Sequence, residues 1–222
     1  MAFDEIALKM RAESVLMVER GSVVYGTASP LTSDVDVLIV VPDTYSEFLS
    51  QFENGIFQLK KYNTHLANDE DCEYITISNF QKLLDDCTVL AIETIFTPSD
   101  HILHFDSEKC NFTFPEAFDK WKVRQEFSRT ASNSWAKAHK KMTVEKDLDI
   151  RCGKKSLFHS LRILNFGIQV CEKGYIYDFS QANQYWHDIC ISNHSWEEYK
   201  TIYKPIYNEL RSKLAALAPK PV

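Results

Sequence analysis

The chain has 222 residues, of which 45% are hydrophobic and 25% charged, an ordinary composition for one large globular domain or two small ones. No apolar run is long enough to cross a bilayer and the first 20 residues lack an apolar signal core, so neither a membrane protein nor a secreted one is expected. The six cysteines are scattered without a Cys-x-x-Cys pair, which argues against a disulfide framework or a zinc site and predicts a cytoplasmic protein with reduced thiols.

The first half of the chain is predicted to alternate short helices and strands. Runs of β-branched residues favour strands, and apolar residues at helical spacing favour helices. In chain order the expected elements are a helix over residues 4–12, strands over 15–19 and 36–41, a helix over 44–52, strands over 55–62 and 73–78, and helices over 79–84 and 89–95.

The second half is predicted to be almost entirely helical. It follows a polar loop over residues 99–115, and its helices are expected over 116–142, 154–172, 180–189 and 196–217. Gly174 suits the end of the second of these helices, and Pro205 is expected to kink or break the last. The predicted fold class is α+β, with a mixed-sheet domain over residues 1–98, a connecting region over 99–115 and a helical domain over 116–222.

Charge is unevenly distributed along the chain, whose net charge is −6. Residues 119–162 contain 12 Lys or Arg and 5 Asp or Glu, a net charge of +7, which leaves −13 on the rest. A basic segment beside an acidic one suits a site in which carboxylates face a phosphate-binding surface. The alternative is that the basic segment over residues 137–146 is the solvated end of a helix.

The main chemical signal lies in residues 21–36, Gly-Ser-Val-Val-Tyr-Gly-Thr-Ala-Ser-Pro-Leu-Thr-Ser-Asp-Val-Asp. A Gly21-Ser22 turn follows the first strand, and Asp34 and Asp36 stand at the head of the second. Because strand side chains alternate, the two carboxylates share a face and repel one another unless a cation lies between them. Oxygen ligands suit Mg²⁺, and the backbone N–H groups of the turn suit phosphate. The alternative is a hairpin with a solvated Ser-Asp turn.

This string resembles the signature of the DNA polymerase β superfamily of nucleotidyltransferases, a Gly-Ser turn followed after a spacer by Asp-x-Asp. The longer pattern, with Tyr25, Gly26 and Pro30 between turn and acids, resembles the branch of predicted RNA-repair-associated nucleotidyltransferases of bacteria and phages. The resemblance implies a nucleotidyltransferase-type sheet followed by a helical domain. It also implies an enzyme that transfers NMP from an NTP such as ATP to a hydroxyl group, with two Mg²⁺ or Mn²⁺ ions held by three carboxylates.

Asp34 and Asp36 fill the first two carboxylate positions of the superfamily, and the resemblance places the third at the next strand. Asp71 and Glu73 both match, and Asp71 is preferred because Asp is the commoner residue there. The two acids are two residues apart and could share a strand face, so the choice stays open. The alternative is that residues 69–73 form a solvated acidic turn.

The resemblance also implies which residues bind the nucleotide. Gly21 and Ser22 are expected to hold the phosphates, and Gly26 and Thr27 to extend that cradle. The related branch often has Arg two residues after the Gly, where this chain has Val23, so Arg20 is the nearest cation in the sequence.

A second candidate nucleotide-binding group lies in the helical half. Lys155, His159 and Arg162 follow i, i+4, i+7 spacing and therefore line one helical stripe. The resemblance implies that this stripe faces the triphosphate, and the alternative is a solvated basic face. Glu93 is a lone acid in an apolar helix, where a structural role is preferred over a role in the site.

The acceptor is left open by the sequence. An RNA or tRNA end fits the basic segment and the context of the related branch, while a protein side chain or a small molecule fits almost as well. A catalytically lapsed NTP-binding regulatory protein is a further alternative. The presence of every acidic candidate and of Ser22 favours the enzyme.

Overall fold

The computed structural model describes residues 3–28, 35–62 and 70–221. Its contacts divide the chain into two compact units. The first comprises Met1–Asp86 with Leu90–Pro115, and the second comprises Cys87–Val89 with Glu116–Val222. Among the described helices, none combines the length and the apolar character that a membrane crossing requires.

The first unit is built on a mixed five-stranded sheet, as the predicted α+β class requires. The strands are β1 (Leu16–Arg20), β2 (Val35–Val41), β3 (Phe57–Gln58), β4 (Glu70–Thr76) and β5 (Ile102–Phe105). Their order across the sheet is β3-β4-β2-β1-β5. The β2–β4 pair is parallel, and the other three pairs are antiparallel.

One face of this sheet carries a hydrophobic cluster of the first unit. Val37, Ile39 and Val41 of β2 project from that face and are almost fully buried. They belong to the same cluster as Ala7 and Met10 of the first helix, α1 (Phe3–Ala12). Because side chains alternate along a strand, Asp36 projects from the opposite face of β2.

Four further helices lie in or next to the first unit, and they are α2 (Ser22–Tyr25), α3 (Ser46–Leu49), α4 (Ile77–Asp85) and α5 (Val89–Ile95). The expected helix over residues 44–52 is shorter, because a 3₁₀ turn at Asp43–Tyr45 precedes α3. The expected strand over 55–62 contracts to β3, flanked by 3₁₀ turns at Glu53–Gly55 and Lys60–Tyr62.

The segment predicted as a polar loop, residues 99–115, contains β5. This strand pairs with β1 and leaves all four of its side chains exposed, so burial imposes no alternation on its sequence. Its position is fixed by backbone pairing with a distant segment, which sequence periodicity does not report.

The second unit consists of α6 (Lys120–Thr143), α7 (Ile150–Lys173), α8 (Asn183–Ile191) and α9 (Trp196–Leu217). Side chains of Asp119, Asp149 and Ser195 accept hydrogen bonds from first-turn N–H groups of α6, α7 and α9. From Ser156 to Cys171, α7 is buried except at His159, as expected of a helix packed between α6 and α9.

The predicted break at Pro205 is wrong, because α9 runs through this residue as one helix, and whether the helix bends there stays a prediction. Pro205 lies on the exposed side of α9, where solvent can satisfy the carbonyl that loses its helical donor. On the other side, Tyr199, Tyr203 and Tyr207 are buried at i, i+4 and i+8 and hold the helix in place.

Candidate active site

The Gly-Ser turn directly follows β1 and opens the single helical turn α2. Gly21 has φ +71° and ψ −144°, a backbone conformation that glycine adopts readily and other residues rarely do. Gly26 closes α2 with φ +71°, its N–H donating to the Val23 carbonyl, while the Thr27 N–H donates to the Ser22 carbonyl over 2.8 Å. The backbone N–H groups of Gly26 and Thr27 thus donate hydrogen bonds within the turn. Of the phosphate-binding groups expected from these two residues, the Thr27 hydroxyl remains as a donor.

Asp36 lies directly against this turn. A Cβ placed on Gly21 would overlap the Asp36 carboxylate, with Oδ2 as the nearest atom and Cγ 3.3 Å away. The glycine is therefore required both by its backbone conformation and by the approach of the acid. The turn and the second acid of the Asp-x-Asp motif, 15 positions apart in the chain, meet at one point of the sheet. Asp34, the first acid of the motif, lies outside the described residues.

Strand register brings Asp71 next to Asp36. The two residues are direct neighbours in the parallel β2–β4 pair, and Arg20 is the neighbour of Asp36 on the other side, in β1. Residues in register project from the same face, so Arg20, Asp36 and Asp71 form one row across three strands. In the described part of the chain no group of three His, Cys, Asp or Glu side chains is arranged to hold a metal ion.

Glu73 occupies a different environment from Asp71, although both project from the same face of β4. Its Oε2 accepts a hydrogen bond from Nη1 of Arg20 over 2.7 Å, and its Oε1 accepts one from Nε2 of Gln58 over 2.8 Å. Both oxygens of Glu73 are thus engaged by protein groups. The side chain of Asp71 is half-buried and makes no hydrogen bond or ion pair with any described residue.

Glu93 supports the turn from α5. The Tyr25 hydroxyl donates a hydrogen bond of 2.5 Å to its Oε2, and both side chains are buried. Since Tyr25 is the last residue of α2, this bond fixes the turn that begins at Gly21. The geometry agrees with the structural role expected for Glu93. Tyr25 as its partner was not identified from the sequence, because no local pattern links residues 68 positions apart.

In the second unit, Lys155, His159 and Arg162 lie on α7 as a stripe that is only partly solvated. Arg162 is 4% exposed, its Nε donates to His159 Nδ1 over 3.2 Å, and its guanidinium lies 4.9 Å from the centre of the Phe166 ring. Burial, followed by the positive charges of Arg162, Lys155 and Lys137, holds the pKa of His159 well below its ordinary value. His159 is therefore neutral at pH 7 and accepts at Nδ1. Because Arg162 is buried, it is not part of a solvated basic face, which was the alternative for this stripe.

Comparison with known protein families gives a match that covers most of the first unit. Residues 5–96 match the family model of the nucleotidyltransferase domain, which belongs to the DNA polymerase β-like superfamily. The matched region contains the Gly-Ser turn, the Asp-x-Asp motif, both candidates for the third acid and Glu93, whereas the α7 stripe lies outside it. A search of curated proteins gives no match. The match indicates transfer of a nucleotidyl group as the general activity.

Proposed function

We propose that this protein is a metal-dependent nucleotidyltransferase that transfers NMP from an NTP to a hydroxyl group and releases pyrophosphate. The observation that carries the proposal is the placement of Asp36 against the Gly21 turn and in register with Asp71, within a region that matches the nucleotidyltransferase domain. A turn for phosphate beside two neighbouring carboxylates is the arrangement that this chemistry needs.

The residues of this row fit a divalent cation. Neighbouring strands lie about 4.8 Å apart, so carboxylates in register can share one ion. Their oxygens are the ligands that Mg²⁺ and Mn²⁺ prefer. Asp36 and Asp71 would hold two such ions together with Asp34, which precedes Asp36 by two residues in the chain. The chemistry that bound ions supply at such a site is charge stabilisation at the attacking and leaving oxygens.

Residues of the Gly-Ser turn would bind the triphosphate, and Asp71 would accept a proton. The Ser22 hydroxyl and the first N–H groups of α2, which have no partner within the helix, would donate to the β- or γ-phosphate. The acceptor hydroxyl oxygen then attacks the α-phosphorus, and the bond from that phosphorus to the oxygen bridging to the β-phosphate breaks. The Asp71 carboxylate, engaged by no described residue, would take the hydroxyl proton.

The α7 stripe would bind the triphosphate from the helical half of the chain. A positively charged, partly buried surface suits phosphate oxygens better than it suits a base or sugar. Replacement of Lys155 by Ala should therefore weaken the binding of ATP while changing the binding of adenosine little. Calorimetric titration of both ligands tests this, and equal losses for the two would contradict phosphate recognition by the stripe.

The acceptor that we favour is the end of an RNA, including tRNA. The supporting observation is the net charge of +7 on residues 119–162, which can neutralise backbone phosphates. Transfer to RNA should then fall steeply as the KCl concentration rises, because the release of counterions from RNA on binding is less favourable at high salt. Transfer to a protein side chain or a small molecule would lack this steep dependence.

The test is incubation of the purified protein with each labelled NTP and Mg²⁺ or Mn²⁺ in the presence of total RNA and total protein. We expect label in the RNA fraction, and we expect Asp36→Ala and Asp71→Asn to abolish it. Asp86→Asn is the matched control, since Asp86 is an exposed acid of the same unit at the end of α4. Full activity in both site variants would contradict the mechanism, and NTP binding without transfer to any fraction would favour a regulatory protein.

A further inference from the structure

Arg20 is the last residue of β1 and the immediate neighbour of the Gly21 turn. It lies in register with Asp36, and its side chain is 23% exposed. Of the several N–H donors of its guanidinium, only Nη1 is engaged by a described residue, in the 2.7 Å ion pair with Glu73. Its Nε is buried and has no hydrogen-bond partner among the described residues.

A buried donor without a partner is unfavourable, so a site that leaves one calls for a ligand with acceptor atoms. A phosphate offers several charged oxygens that match the fork of a guanidinium. Arg20 also lies on the sheet face of Asp36 and Asp71, next to the turn assigned to phosphate. The side chain is therefore placed where the triphosphate would bind.

Glu73 and Gln58 hold Arg20 in this place. The Arg20 side chain extends from β1 past β2 to reach Glu73 on β4, and Gln58 of β3 secures the other oxygen of Glu73. An arginine fixed in this way loses little side-chain freedom on binding a ligand, which favours affinity. Each oxygen of Glu73 already accepts a hydrogen bond from a protein group. This argues against Glu73 as the third carboxylate of the site.

We infer that Arg20 is a phosphate-binding residue of the nucleotidyltransferase site and that Glu73 is a positioning residue for Arg20. The inference rests on the proposed function, because it assigns the ligand of Arg20 to the triphosphate or pyrophosphate of that reaction. It divides the two acids of β4 between two roles, with Asp71 acting in the site and Glu73 acting through Arg20.

The experiment measures the binding of ATP and of inorganic pyrophosphate, both with Mg²⁺, to the full chain by calorimetry. Arg20→Ala and Glu73→Ala should each weaken both ligands about tenfold or more, which corresponds to one lost charge-assisted hydrogen bond. The double variant should bind no more weakly than Arg20→Ala alone. Glu73→Gln, which retains an acceptor for Arg20, should restore most of the affinity.

Metal binding separates positioning from metal ligation. Mn²⁺ affinity without nucleotide, measured by electron paramagnetic resonance, should be unchanged in Glu73→Gln and reduced in Asp71→Asn. The matched control is Glu19→Ala, because Glu19 is the residue before Arg20, projects from the other face of β1 and makes its own 2.7 Å contact, between its Oε2 and Nδ1 of His101. This variant should bind ATP and pyrophosphate as the wild type does, and circular dichroism confirms that each variant is folded.

Three results would overturn the inference while leaving the proposed function standing. These are unchanged pyrophosphate affinity in Arg20→Ala, fully additive losses in the double variant, and a loss of Mn²⁺ affinity in Glu73→Gln that equals the loss in Asp71→Asn. A wild-type chain that binds neither ATP nor pyrophosphate would contradict the proposed function and the inference together.

Discussion

Replacement of Gly21 by Ala perturbs the site at the contact between the turn and Asp36. Two separate effects destabilise the variant. The backbone at φ +71° and ψ −144° lies close to a region that is essentially restricted to glycine, and the strain of a non-glycine residue there is about 1–3 kcal/mol. The new methyl group would also overlap the Asp36 carboxylate, and relief of such overpacking typically costs about 1–3 kcal/mol.

The two effects can be separated by removal of the Asp36 carboxylate. In an Asp36→Ala background the nearest remaining atom of residue 36 is its Cβ, 3.7 Å from the added methyl group, which is an ordinary contact. Gly21→Ala should therefore lower the free energy of unfolding by about 2–6 kcal/mol in the wild-type chain but by only about 1–3 kcal/mol in the Asp36→Ala background. The difference is the coupling energy of the contact.

Hydrogen–deuterium exchange of peptides from β1 and β2 is the suitable assay, because it reports the local free energy of opening in the first unit. The four Trp residues all lie in the second unit, so their fluorescence in urea serves as an internal control that should not change. Gly174→Ala is the second control, since Gly174 also has positive φ and a Cβ there would contact nothing within 4 Å. Equal destabilisation by Gly21→Ala in the two backgrounds would refute the contact between the turn and Asp36.

Three further perturbations test other parts of the structure. Tyr25→Phe should lower the unfolding free energy of the first unit by about 1–3 kcal/mol, because buried Glu93 loses a donor, and unchanged exchange protection of β1 would contradict the bond. His159 has a lowered pKa in the folded chain, so below about pH 6.5 the unfolded state takes up the proton first and stability falls with decreasing pH. Urea unfolding between pH 5 and pH 8 should show this fall in the wild type, and His159→Gln should weaken it. Pro205→Ala should raise the stability of the second unit by about 1–2 kcal/mol, since it restores a helical N–H donor in an unbroken helix, and a lower urea midpoint by Trp fluorescence would contradict that geometry.

Local sequence signals predicted the elements whose ends are fixed by their own residues. The last helix was predicted over residues 196–217 and forms over Trp196–Leu217, where a capping box of Ser195 and Glu198 fixes its start. The helix that ends at Gly174 does so with this glycine at φ +84°, as glycine at a helix end predicts. The run Val37–Val41 is buried on both faces and was predicted as a strand from its β-branched residues alone.

Elements fixed by distant partners were predicted less well. Strand β4 was expected to begin at residue 73, from the alternation of side chains over residues 73–78, and the acidic run before it left a solvated turn as an alternative. It begins at Glu70, since pairing with β2 extends the strand into that run. The same pairing sets Asp71 opposite Asp36, a register that no property of either strand alone specifies.

The division of roles between Asp71 and Glu73 follows from charge balance on the site face of the sheet. Alternation predicted that both acids share this face, but it treats them as equivalent. Their neighbours in register distinguish them, because Asp71 lies beside Asp36 while Glu73 lies beside the apolar Leu38. In the proposed site the neighbouring carboxylates of Asp36 and Asp71 repel one another and would be stabilised by a bound cation, whereas Glu73 already forms an ion pair with Arg20. If the proposed function holds, removal of Glu73 would therefore leave Arg20 without its positioning partner, and removal of Asp71 would take away a metal ligand.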